Sequence, residues 1–254
     1  MPVSSLSALT ILTLLLPLQA ENSTHVRKRS VLFVGNSFTF RLDQVLAKVA
    51  QSAGRQLKVE TVAQGGWTLK KHSESERTLK AIRKGRWDFV VLQEQSQIPS
   101  FPEAQRTQLM DGPAVRLCKE VREAGAVPLF FMTWAAQNGD SRNRKDDSFD
   151  AMQMRLKQGY EKVAAVCKAE VVPVGMAWLK AEKSGVTKGL YSRDGKHQGS
   201  SGAYLNASVF FAYLFRANPI GIRYRSGVSA QQAMRLQTIA LKVVKEQLVD
   251  SQDE

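Results

Sequence analysis

The sequence predicts a three-layer α/β/α sandwich built on a five-stranded parallel sheet, and three observations carry that prediction. Short strand-like apolar runs alternate with longer segments whose apolar residues recur at helical spacing. The third run, WDFVVLQ from Trp87 to Gln93, is apolar enough to be covered on both faces, as strands of a parallel sheet are. The first three runs each end in a polar, loop-forming cluster: Gly35-Asn36-Ser37, Gly65-Gly66 and Gln93-Glu94-Gln95-Ser96. In an open parallel sheet such ends face one crevice, where ligands bind.

The elements follow in order. Val31 to Gly35 reads as the first strand, and Leu42 to Ala53 as a helix stopped by Gly54. Leu57 to Val62 is the second strand, Thr68 to Lys84 a polar helix or loop-helix, and Trp87 to Gln93 the third strand. Pro99 and Pro102 interrupt the chain before a helix from Glu103 to Ala124 that ends at Gly125. Ala126 to Trp134 is the fourth strand, Asn138 to Ser148 a hydrophilic loop, and a helix then runs to about Lys168. Glu170 to Val174 is a short fifth strand. A turn-rich loop from Ser192 to Ser201, a strongly apolar helix from Gly202 to Phe215 and an amphipathic helix over 229–249 complete the chain.

The 254 residues suit one domain, expected over 31–254, and 43% hydrophobic with 23% charged residues excludes disordered, collagen-like and coiled-coil chains. Residues 1–20 read as a secretory signal peptide with an apolar stretch too short for a membrane span, and 21–30 as a polar linker. The protein is therefore expected to be exported, periplasmic or secreted. Lys and Arg number 36 against 23 Asp and Glu, a net +13, but the basic residues are scattered and not interleaved with aromatics, so no nucleic-acid partner is expected. With only Cys118 and Cys167, and with His25, His72 and His197 far apart, neither a disulfide framework nor a metal site is expected, and no cofactor. Sequons at Asn22 and Asn206 matter only in a glycosylating pathway, and Asn206 falls on a helix expected to be buried.

Ser37 is the candidate nucleophile. A nucleophilic serine needs a base and a group that orients the base. His197 is the only histidine expected at the same rim, three residues after Asp194 in DGKH, and the order Ser, Asp, His completes a triad. Taken singly, Ser37 could cap a helix, Asp194-Gly195 could be an ordinary turn and His197 a surface residue. Their convergence at matching strand ends favours catalysis. Glu94 is read as a structural carboxylate tying its loop to a backbone N–H, and Trp67, Trp134 and Tyr191 as core or lid packing before a sugar-binding rim.

The blocks VLFVGNSFT, AQGGWTL and DGKHQGSSGAYLNA resemble those of the SGNH hydrolase superfamily, the GDSL esterase/lipase group, over Val31 to about Phe215. The chain is most similar to a bacterial branch that reads G-N-S-F-T in the first block and L-Q-E-Q-S in the third. The resemblance implies a flavodoxin-like SGNH hydrolase fold, with Ser37 as nucleophile and first oxyanion N–H, Gly66 as a second, His197 as general base and Asp194 as its partner. Asn36 replaces the aspartate usual before the serine, and the superfamily's Gly-x-Asn-Asp block is missing. Its side-chain oxyanion donor then has to be a glutamine, Gln93 or Gln95, which the strand pleat places on the same nominal face; Gln93, which ends the strand, is the first choice.

The expected function is a serine ester hydrolase removing small acyl groups, such as acetyl, from a small-molecule or carbohydrate ester. The alternatives are a non-catalytic carbohydrate or anion binder on the same fold, and an O-acyltransferase using the same triad.

Overall fold

A computed structural model describes residues 28–250; the apolar leader, Asn22, His25 and most of the expected linker lie outside the described residues. The strands are β1 (Arg29–Gly35), β2 (Leu57–Ala63), β3 (Phe89–Leu92), β4 (Val127–Phe131) and β5 (Glu170–Val172). The helices are α1 (Leu42–Ser52), α2 (Leu69–Ser73), α3 (Glu76–Lys84), α4 (Glu103–Arg106), α5 (Gly112–Glu123), α6 (Phe149–Cys167), α7 (Val174–Lys183), α8 (Ser200–Phe215) and α9 (Ala230–Asp250). All strands pair in parallel in the order β2-β1-β3-β4-β5.

Side chains alternate across the sheet and divide the core in two. Val31, Phe33, Val91, Leu129, Phe131 and Val172 pack under α1, α7, α8 and α9. Leu32, Val34, Val90, Leu92, Phe130 and Val171 pack on the other face against α2, α3, α5 and α6. This is the expected three-layer sandwich. Helix α8 is apolar nearly all round because it is buried nearly all round, from Ser201 to Phe215 with only Ala203 half-exposed. Asn206 lies inside it, accepting the Trp178 indole N–H at 2.7 Å.

Several boundaries differ from those expected, each for a local reason. Arg29 and Ser30, read as linker, belong to β1: they stand opposite Leu57 and Lys58, and Ser30 N–H donates to Asp88 Oδ2 at 2.6 Å. The segment over 68–84 divides into α2 and α3 because Thr68 caps the first and Ser75 the second. A π-helical turn, Thr107–Asp111, joins α4 to α5. Pro173 cuts β5 short at Val172, and α7, which was not anticipated, begins at the next residue. Its buried Val174, Ala177, Trp178 and Ala181 have helical spacing, so the signal was present. Cys118 and Cys167 are buried, unbridged thiols in contact on α5 and α6. Among the described residues no helix is long and apolar enough to cross a membrane.

Candidate active site

The chain leaves β1 for β2 on one side and later crosses to β3 on the other, so the loops after β1 and β3 part at the centre of the sheet and leave a crevice. Ser37 stands there, at the start of a 3₁₀ turn, Ser37–Thr39. The capping role considered for Ser37 belongs to Asn36, whose Oδ1 accepts the Phe38 N–H at 3.2 Å. Asn36 Nδ2 donates to the Trp67 carbonyl at 2.9 Å, a bond that an ionised aspartate at this position could not make. Beneath it, buried His72 donates Nε2–H to the Gly35 carbonyl at 2.8 Å, and Thr78 Oγ1 donates to its Nδ1 at 2.9 Å. A carbonyl can only accept, which fixes this tautomer. Burial holds the His72 pKa below the ordinary histidine value, so the ring is a neutral prop under the serine loop.

The second half of the site comes from the turn before α8. His197 Nε2 lies 2.8 Å from Ser37 Oγ, and its Nδ1 lies 2.5 Å from Asp194 Oδ2. The carboxylate can only accept from Nδ1–H, leaving Nε2 to accept the serine hydroxyl proton. Asp194 Oδ1 also accepts Ser192 Oγ and the N–H groups of Lys196 and His197, at 2.7, 2.9 and 3.0 Å. Burial opposes ionisation of Asp194, but the bonds from His197, Ser192 and those N–H groups outweigh it and hold the carboxyl well below the usual carboxylate range. The imidazole leans on Phe38, 5.3 Å between centroids, and Phe38 stacks on Trp134, which stacks on Trp178 at 4.3 Å. Gln198 Nε2 donates to the carbonyls of Ser37 and Phe40, at 3.4 and 3.1 Å, tying the histidine turn to the serine loop.

Ser37, Asp194 and His197 line one cleft of about 500 Å³, together with Gly66 and Gln95. Gly66 is the third residue of a turn closed by Trp67 N–H on the Gln64 carbonyl at 3.1 Å, and its φ is +69°. That is the position where a type II turn needs glycine. Gly66 lines the cleft on the loop that Asn36 holds through the Trp67 carbonyl. Gly66→Ala has open space for its Cβ, so its cost is backbone strain alone, about 1–2 kcal/mol. On the oxyanion role that the resemblance implies for this N–H, kcat of Gly66→Ala on an ester is expected to fall about tenfold, less than the 10²–10³-fold typical when a donor is removed. Gly65→Ala, at negative φ, is the matched control; urea titration beside ester turnover for both variants checks this, and equal kcat in the two would exclude a role for the Gly66 N–H.

The two glutamines part company. Gln93, the first choice as side-chain donor, is fully buried: its Oε1 accepts the Asn36 N–H at 2.8 Å and its Nε2 donates to the Glu94 carbonyl. Its amide is spent bracing β3 against β1, because the pleat turns it across the sheet towards Gly35, where an added Cβ would stand 2.4 Å from its Oε1. Gln95 lines the cleft; its Oε1 accepts the Gln97 N–H at 2.9 Å, while its Nε2 has only a 3.4 Å contact with Gln97 Oε1. Glu94 is buried, and its Oε1 accepts N–H groups from Gln95 at 2.6 Å and Leu69 at 3.1 Å, joining the loops after β3 and β2. Burial pushes its pKa up to about 7 against those two hydrogen bonds. Of the three aromatics, Trp134 is buried in the ring stack, Tyr191 donates to the Ala135 carbonyl at 2.8 Å, and half-buried Trp67 lies against His72.

No family model and no curated protein matches the sequence. Solved structures do. A DUF4886 family protein from Bacteroides uniformis superposes with a TM-score of 0.76 at 20% identity, covering 86% of this chain and 95% of the other. A protein assigned to the SGNH hydrolases, from Slackia heliotrinireducens, gives 0.57 at 26% identity over 71% and 96%. Axe2, an acetylxylan esterase from Geobacillus stearothermophilus, gives 0.54 at 14% identity over 79% and 97%. The chain has the fold of the SGNH hydrolases and is related to that superfamily.

Proposed function

We propose that the protein is a serine ester hydrolase that removes small acyl groups, acetyl first among them, from a carbohydrate through an acyl-enzyme. The observation that carries this reading is the chain of contacts from Ser37 Oγ to His197 Nε2, 2.8 Å, and from His197 Nδ1 to Asp194 Oδ2, 2.5 Å, at the wall of one cleft. Ser37 Oγ attacks the ester carbonyl carbon as its proton passes to His197 Nε2. The tetrahedral oxyanion is met by the N–H groups of Ser37 and Gly66 and by the Gln95 amide. His197 then protonates the departing alcohol; water, deprotonated by the same nitrogen, attacks the acyl-enzyme, and the acid leaves as Ser37 regains its proton.

The acetyl preference draws on the likeness to an acetylxylan esterase, and export on the sequence of the leader. Fluorophosphonate labelling with peptide mapping is expected to modify Ser37 alone; modification elsewhere, or none of the folded protein, overturns the mechanism. Across acetyl, butyryl and long-chain esters the acetyl ester is expected to turn over fastest, and turnover of long chains only overturns the substrate class. Sugar acceptors that divert the acyl group from water would recast the same triad as an O-acyltransferase.

A further inference from the structure

The catalytic cleft is walled on one side by the loop between β4 and α6, which supplies Asn138, Gly139, Asp140, Ser141 and Arg142. Beside it lies a second cavity of about 440 Å³, whose lining includes Asp140, Asn143, Arg144 and Arg155. Asp140 borders both.

The base of this loop is fixed. Arg155 makes paired bonds to Asp147 at 2.9 and 2.6 Å, and Asp147 in turn accepts the Asp140 N–H at 2.8 Å. The Asp140 side chain, in a residue 6% exposed, accepts Gln97 Nε2 at 2.9 Å and Asn143 Nδ2 at 2.7 Å. Gly139 has a φ of +70°, and an added Cβ would come within 2.7 Å of the Ser148 backbone nitrogen, so the neck is closed tightly. The tip is therefore presented on a rigid base.

Charge divides unevenly across the two cavities. Arg106, Arg155 and Lys162 are paired with Asp111, Asp147 and Glu103. Arg142 and Lys196 on the catalytic cleft and Arg144 on the second cavity are exposed, and none has a carboxylate within ion-pair distance among the described residues. Guanidinium groups present planar forks suited to carboxylate or sulfate. Arg142 and Arg144 flank the Asp140–Asn143 hub, one facing each cavity.

We infer that Arg142 and Arg144 form an anion subsite, so that the natural substrate is an acylated saccharide bearing carboxylate or sulfate groups, seated with its ester at Ser37 and its anionic unit over the second cavity. This rests on the hydrolase reading and narrows its substrate to acidic glycans.

The test compares acetylated oligosaccharides that are neutral, carboxylated or sulfated, using the full protein. A higher kcat/KM on either anionic substrate than on the neutral one, falling with added salt, is expected, and the faster of the two identifies the anion. Arg142→Ala/Arg144→Ala is expected to lower that kcat/KM about tenfold, chiefly through KM, and to remove most of its dependence on salt. A control, Lys119→Ala/Lys245→Ala, removes equal charge outside both cavities. Equal rates on all three substrates, or an equal loss in the control, overturn the subsite in favour of general attraction by a cationic protein. Binding of a deacetylated oligouronide, followed by calorimetry, reads the subsite without turnover. If the wild type cleaves no ester but this binding persists and is lost in the arginine variant, the hydrolase reading has failed and the subsite has not.

Discussion

His197→Ala is expected to lower kcat on an acetyl ester by about 10⁴–10⁶-fold, and Ser37→Ala to do the same, with the double variant no worse than either single one. The non-additivity follows from the geometry: Ser37 Oγ meets one ring nitrogen at 2.8 Å and Asp194 the other at 2.5 Å, so the proton transfer needs every member. Asp194→Asn keeps an acceptor for the Lys196 and His197 N–H groups but presents an amide to Nδ1, favouring the tautomer that carries its proton on Nε2 and cannot accept from serine; a loss of about 10⁴-fold is expected. Because Asp194 stays ionised well below neutral pH, the acid limb of the wild-type rate profile is not expected to come from it. The His197 side chain is 41% exposed, so its removal should move stability by less than about 1 kcal/mol. Single-turnover kinetics beside a thermal melt checks both halves: His197→Ala retaining turnover within tenfold of wild type would refute the triad.

The alternation of apolar runs with helical periods was enough to read the sheet, because a run as short and apolar as Phe89–Leu92 is too brief for a helix and suits a strand covered on both faces. The meeting of Ser37 with His197, 160 positions apart, was legible only through the resemblance and the strand-end rule, since no local pattern encodes so distant a contact. Gln93 and Gln95 were inseparable from sequence: a pleat assigns a face, whereas the extra bond from Gln93 to the Asn36 N–H is a tertiary fact. His72 was invisible as a prop because Lys70, Lys71 and Glu74 surround it with surface character, and only the packing of α2 buries it. Asn36 gave a partial signal. Its departure from aspartate is what a donor to the Trp67 carbonyl requires, but the carbonyl's position could not be known. Gln198 left no sequence signal that separates it from an ordinary loop residue.

The second large effect falls on Glu94. In the unfolded chain its carboxyl titrates near its ordinary 4.5; in the folded protein burial raises this to about 7, against hydrogen bonds from Gln95 and Leu69 N–H. Between those values the folded state holds the proton more tightly. The stability linked to this group is therefore full below about pH 4.5, declines as pH rises through the window and is gone above about pH 7. The gap corresponds to roughly 3 kcal/mol, as each unit is worth about 1.4 kcal/mol. The ionisable group facing it from α6 is Tyr160, itself raised by burial, and Glu94 Oε2 is buried without a hydrogen-bond partner among the described residues. A proton on Glu94 removes the cost of a buried charge that has no cation beside it. Glu94→Gln is neutral at every pH, and its oxygen keeps the Gln95 and Leu69 N–H bonds. Urea unfolding is expected to show the variant and wild type within about 1 kcal/mol at pH 4.5, with the variant more stable by about 2–3 kcal/mol at pH 8. Glu94→Ala, which strands both N–H groups, should be destabilised at both pH values and lose turnover as the loops after β2 and β3 part. Parallel pH dependence in wild type and Glu94→Gln would place the titration elsewhere and leave Glu94 a simple acceptor joining two loops.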